Sequence, residues 1–238
     1  MQYDPPVYDP VSAWGIGGLA VIVAAAWILT WTVPGRGQRT GLGVTVAAVM
    51  AASGWAAQSG LLRRFDVLPP PMALMIAAVF GMAAAIGFSR FGAAVAASVP
   101  LSTLIGLQAF RLPLELVMHR AGELGIMPVE LSYSGYNFDI LTGAGALVLS
   151  AALRARVSVP AWVMWVWNLW GIACLVVIAV IAITTSPMLR LFGDDPRHVN
   201  TWVLHLPYVW LPVVLVTIAF AGHVVITRAL TRANRVRS

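Results

Sequence analysis

The chain has 238 residues, of which 60% are hydrophobic and 10% charged, with mean hydropathy +0.84 and formal net charge +6. A soluble domain carries about 25% charged residues, so this composition excludes a surface that faces water all round. The positive charge comes from 15 arginines and no lysine, and these sit at the ends of apolar stretches, which points to membrane orientation and away from a nucleic-acid partner. Only helices or closed barrels satisfy every backbone polar group inside a bilayer. Barrel strands alternate polar and apolar residues, whereas the apolar runs here are long and unbroken. The expected fold is therefore all-α: a polytopic membrane helix bundle, with residues 1–238 forming a single integral membrane domain.

Residues 1–10 carry Asp4 and Asp9 and no basic residue, unlike a signal peptide, and are read as a short tail outside the membrane. Seven stretches approach the roughly 20 apolar residues that span hydrocarbon: about 12–33, 41–62, 72–88, 92–110, 138–153, 161–184 and 202–227. Gly35-Arg36-Gly37-Gln38-Arg39 separates the first two, and Pro69-Pro70-Pro71 precedes the third. Ser89-Arg90-Phe91 leaves almost no loop before the fourth, so the third and fourth are expected to be antiparallel neighbours. After the fourth, Gln108, Arg111, Glu115, His119 and Glu123 recur every three or four residues, one face of a helix. Pro113 removes the hydrogen bond to Ala109 and should bend the helix there, giving an amphipathic segment near the outer surface. Arg111 and Glu115, four apart, are expected to pair. Asn137 and Asp139 open the fifth stretch, where either side chain caps a helix.

Trp162, Trp165, Trp167 and Trp170 start the sixth stretch, and Trp27 and Trp31 end the first; both groups read as interfacial belts. Trp170, deeper and beside Asn168, is the exception worth following. Within the seventh stretch His205 and Tyr208, three apart, share a helical face beside Pro207, and His223 lies about 27 Å beyond His205 at 1.5 Å per residue. The absence of a second histidine near His223 argues against a two-haem arrangement. The lone Cys174 excludes an intrachain disulfide and argues against a cysteine-based metal site. With the N-terminus outside and the C-terminus cytoplasmic, nine arginines fall inside and six outside, while all nine acids fall outside.

Arg111-Leu-Pro-Leu-Glu115, Gly135-Tyr-Asn-Phe-Asp-Ile140 with Thr142-Gly143, and Pro207-Tyr-Val-Trp-Leu-Pro212 resemble a family of bacterial multi-pass membrane proteins of no assigned activity. The resemblance covers roughly residues 105–225. It implies a shared fold and a bacterial plasma-membrane location, and supplies no reaction. The family often has an arginine where this chain has Tyr136, and an aromatic where it has His119.

Three functional classes stand. The first is binding or translocation of a small polar solute or protons through an outward-facing pocket lined by Arg111, Glu115, Asn137, Asp139, His205 and Tyr208. The second is a structural or assembly subunit. The third is a membrane-embedded metal hydrolase, with Glu115, His119, Asp139 and His205 as candidate ligands. No His-Glu-x-x-His, Gly-x-Ser-x-Gly, P-loop, dinucleotide fingerprint or Cys-x-x-Cys occurs. The partner common to all three is the lipid bilayer.

Overall fold

A computed structural model describes residues 5–31 and 36–237, with the side chains of 36–38 and 234–237 outside the description. Asp4, the expected first-span end at Val33 and the Gly35 turn lie outside the described residues, as do the side chains of Arg36, Arg235 and Arg237. The described residues are all-helical, without a strand. The helices are α1 (Pro10–Thr30), α2 (Arg36–Gln58), α3 (Pro71–Phe88), α4 (Arg90–Ser98), α5 (Leu101–Gly106), α6 (Arg111–Glu123), α7 (Asp139–Arg154), α8 (Ala161–Thr184) and α9 (Thr217–Arg237). Six helical stretches are long and apolar enough to cross a membrane: Pro10–Thr30, Arg39–Gln58, Pro71–Phe88, Leu101–Glu123, Ala161–Thr184 and Leu211–Ala233. Val21, Ile22, Leu29, Val176, Val177 and Val180 are exposed on these spans, an apolar periphery suited to lipid.

The fourth span differs in position from the expected 92–110. Proline at 100 drives Val99 into an extended conformation (φ −90°, ψ 129°) and ends α4 after nine residues. Ser89 caps α4, its Oγ accepting from the Gly92 N–H at 3.0 Å. The apolar crossing then runs through α5, a 3₁₀ turn at Leu107–Phe110 and α6. The turn falls where Pro113 has no N–H to offer Ala109. The polar run 108–123 thus forms the second half of a candidate span.

The two ends of the bundle are marked by Asp9 and Arg228. Asp9 caps α1 by accepting from the Ser12 N–H at 2.9 Å and binds Arg120, at the end of α6, through Nε at 3.0 Å and Nη2 at 2.8 Å. The guanidinium holds the Asp9 carboxyl well below the usual carboxylate range, so the pair stays charged throughout the neutral and mildly acidic range. At the other end Arg228 Nη1 donates to the carbonyls of Gly87 and Ser89, both at 2.8 Å, which satisfies the C-terminus of α3.

α7 runs back along α5 and α6. Ser150 Oγ donates to the Ser102 carbonyl at 2.9 Å near one end of this pair, and Asp139 meets Arg111 at the other. At 16 residues α7 is about 24 Å long, short of the roughly 30 Å hydrocarbon core. Residues 124–138, mostly irregular, bring the chain from the Asp9 end down beside α6 to this depth. Irregular backbone at membrane depth is tolerated only when buried in protein. Here the Gly135 and Asn137 N–H groups donate to the Ser132 carbonyl, and Tyr136 N–H to that of Glu130.

The last crossing is also irregular at its start. Residues Trp202–Leu204 form a 3₁₀ turn, His205 is extended, and a π-helical turn at Leu211–Val216 leads into α9. Pro207 and Pro212 supply no N–H, so a regular helix from 202 is not sustained.

Candidate functional site

Arg111 is the centre of a polar cluster buried where α6, α7, α8 and α9 meet. It lies ten residues after Leu101 and twelve before Glu123, and His223 lies twelve after Leu211 and ten before Ala233. Both therefore sit midway along their candidate spans. Arg111 Nε is 2.7 Å from Asp139 Oδ2, and its Nη1 is 2.8 Å from His223 Nε2. A guanidinium only donates, so His223 Nε2 accepts and the ring proton lies on Nδ1. That Nδ1–H donates to Asn168 Oδ1 at 2.8 Å. Asn168 Nδ2 in turn donates to Thr227 Oγ1 at 2.8 Å, and Thr227 back-bonds to the His223 carbonyl. The histidine is thus fixed as a neutral imidazole by hydrogen bonds on both nitrogens.

The second branch starts at Asn137. Its Nδ2 donates to Glu115 Oε1 at 2.7 Å and to the Leu131 carbonyl at 3.1 Å, while its Oδ1 accepts from the Asp139 N–H at 3.2 Å. Asn137 therefore accepts the first N–H of α7 and holds Glu115 at once, and the Asp139 carboxylate is left for Arg111. Relative exposures of 1% for Arg111, Glu115 and Asn137 and 5% for Asp139 close the cluster to solvent. Pairing is incomplete: Arg111 Nη2 and Glu115 Oε2 are buried with no protein partner. Trp167 closes the edge of the cluster, its Nε1–H donating to the Thr142 carbonyl at 3.0 Å and its ring centred 5.4 Å from that of His223.

Glycines allow this approach. A Cβ on Gly143 would lie 2.4 Å from the Leu112 nitrogen, and one on Gly171 would lie 2.3 Å from His223 Cε1. α7 therefore crosses α6 beside Arg111, and α8 presses against the His223 ring.

Of the six residues expected to line one pocket, the structure brings together Arg111, Glu115, Asn137 and Asp139. His205 and Tyr208 are elsewhere. Proline at 207 interrupts the helix that was to place them on one face. Tyr208 packs on Trp202 with ring centres 5.0 Å apart and senses the charge of Asp9, while His205 senses that of Arg63. The expected Arg111–Glu115 pair does not form as a direct contact: Arg111 Nε goes to Asp139 Oδ2, and Glu115 Oε1 accepts from Asn137 Nδ2. His119 is also separate, with Nδ1 at Ser134 Oγ (2.7 Å) and its ring stacked on Tyr133. Among the described residues no group of three or more His, Cys, Asp or Glu side chains is arranged to hold a metal ion. His223 and Asn168 belong to the cluster although the expected pocket lacked them. Trp167 takes the role expected of Trp170, which is exposed.

The chain matches no protein-family model, no curated protein and no solved structure.

Proposed function

We propose that this multi-pass membrane protein binds and passes protons at the Arg111–Asp139–Glu115–His223 centre, as a bacterial plasma-membrane protein with its N-terminus outside. The observation that carries this reading is a buried, mid-span arginine shared by a carboxylate and a neutral imidazole, with a second carboxylate, Glu115, one oxygen of which has no partner. The closed site holds one guanidinium and two carboxylates, of which only Asp139 is paired with it, so an exchangeable proton on Glu115 balances the charge. Ionisable groups at such depth commonly mark ion and proton pathways. The proton version is favoured over a small polar solute because the four central residues are closed to solvent, and a proton needs acceptor atoms and no cavity. It is favoured over a purely structural role because a network that only holds helices together leaves few buried polar atoms unpaired.

The test is proton flux into vesicles containing the purified chain, driven by a potassium diffusion potential and read with an entrapped pH dye. Glu115→Gln retains an acceptor for Asn137 and removes the exchangeable proton. The expected result is flux above that of empty vesicles for the wild type, and a loss of about tenfold or more in the variant with its melting temperature preserved. Wild-type flux equal to that of empty vesicles, or full flux in Glu115→Gln, would refute the proposal.

A further inference from the structure

A proton bound for Glu115 needs a route from one end of the bundle, because the central cluster is closed to solvent. α6 supplies one. The helix is continuous from Arg111 to Glu123, so Glu115, His119 and Glu123, each four residues from the next, stand one above the other on a single face. Side-chain exposure along that face falls from 66% at Glu123 to 27% at His119, and Glu115, one turn further in, is 1% exposed. Three titratable side chains thus descend from the Asp9 end, where Arg120 binds Asp9, to the mid-span centre.

His119 is built into this file at both ring nitrogens. Its Nε2 is 3.4 Å from Glu123 Oε1, and its Nδ1 is 2.7 Å from Ser134 Oγ. Tyr133 stacks on the imidazole with ring centres 4.3 Å apart, which fixes its plane. The segment that supplies Tyr133 and Ser134 also supplies Asn137, whose Nδ2 donates to Glu115 at 2.7 Å. One stretch of irregular chain therefore covers His119 and Glu115 together and leaves Glu123 exposed. Cβ atoms four residues apart on a helix are about 5–6 Å from each other, so His119 and Glu115 lie within the span of one bridging hydroxyl or water. An imidazole takes a proton at one nitrogen and releases one from the other, which moves a proton inward and leaves the ring neutral.

We infer that His119 relays protons between the aqueous phase at the Asp9 end and Glu115, with Glu123 gathering them at the mouth. The relay rests on the proton reading of the central site. Each transfer balances. A proton adds to His119 Nε2, the Nδ1 proton passes to Ser134 Oγ as that hydroxyl gives up its own, and Glu115 Oε2, which has no hydrogen-bond partner, takes one up. The other ionisable pair near this end, Glu130 with His198, joins the 3₁₀ turn at 129–131 to the link before the last crossing and stands off the α6 face.

The experiment measures proton flux into vesicles for the wild type, Glu115→Gln, His119→Gln, His119→Glu and Glu130→Gln. His119→Gln keeps a hydrogen-bonding group for Ser134 and removes the titrating ring. Its flux is expected to fall by about tenfold or more at unchanged melting temperature. His119→Glu puts a titrating group back at the same place and should recover most of the flux, whereas a packing role for the ring gives no such recovery. Glu130→Gln should keep the wild-type flux. Full flux in His119→Gln, with flux lost in Glu115→Gln, would overturn the relay and leave the central proton site standing. A loss in His119→Gln that His119→Glu does not restore would also overturn it, as would a loss confined to Glu130→Gln, which would put the entrance at that pair. Wild-type flux equal to that of empty vesicles would refute the central site and the relay together.

Discussion

Arg111 owes its position to having more donors than any one partner takes. A lysine at this depth offers a point charge, whereas the guanidinium sends Nε to Asp139 and Nη1 to His223 in fixed directions. Removing either member of a buried ion pair leaves a charge in a medium that cannot solvate it. Arg111→Ala or Asp139→Ala is therefore expected to destabilise the chain by about 3–5 kcal/mol, and the double variant to lose clearly less than the sum. Reversible denaturation in mixed detergent micelles reads this cycle. Additive losses would mean that the two groups do not act on each other. The same measurement on Glu115→Ala with Arg111→Ala should come closer to additivity, because Glu115 is bonded to Asn137 and not to the arginine.

At the scale of helices, the site is made by close approach. Gly143 brings the start of α7 against the backbone at Arg111 and Leu112, where no side chain can give way. Gly143→Ala should therefore cost about 1–3 kcal/mol and move α7 off α6. Gly18→Ala, where a Cβ meets open space, should change stability little, and thermal unfolding of the two variants side by side distinguishes them. These crossings also explain what the sequence could and could not disclose. The grouping of Arg111, Glu115, Asn137 and Asp139 was legible, because costly polar residues far apart in sequence pointed to one depth. Their depth was misplaced, because a window of hydropathy weighs residues 92–98 like any apolar run and takes Arg111 for the end of a span. The signal that corrects it, Pro100 acting on Val99, is present in the sequence but acts on backbone direction and not on hydropathy. His223 was set apart for a related reason: its distance was counted at helical rise from His205, whereas a helix begins only at Leu211. Nothing in the sequence says that Asn168, on another helix, meets His223, since that contact depends on the packing of α8 against α9.

At the scale of the whole molecule, α7 and the segment before it decide the topology. Among the described residues six helical stretches are long and apolar enough to cross by themselves, and six crossings would put both termini on one side. α6 ends at the Asp9 end, where Arg120 binds Asp9, yet α7 finishes beside the start of α5, where Ser150 reaches Ser102. The chain between these points must traverse the bundle, the first part through residues 124–138 and the rest through α7. A seventh crossing, shared between irregular chain and a short helix, would put the termini on opposite sides. Single cysteines at exposed positions test this in a Cys174→Ser background, since Cys174 is buried. Tyr8→Cys and Leu191→Cys lie at the Asp9 end, and Val157→Cys lies in the link between α7 and α8. In intact cells a membrane-impermeant maleimide should label the first two and reach Val157→Cys only after permeabilisation. If all three label in intact cells, α7 does not complete a crossing, and the termini share a side. If only Val157→Cys labels, the seven crossings stand and the orientation drawn from the arginines is inverted.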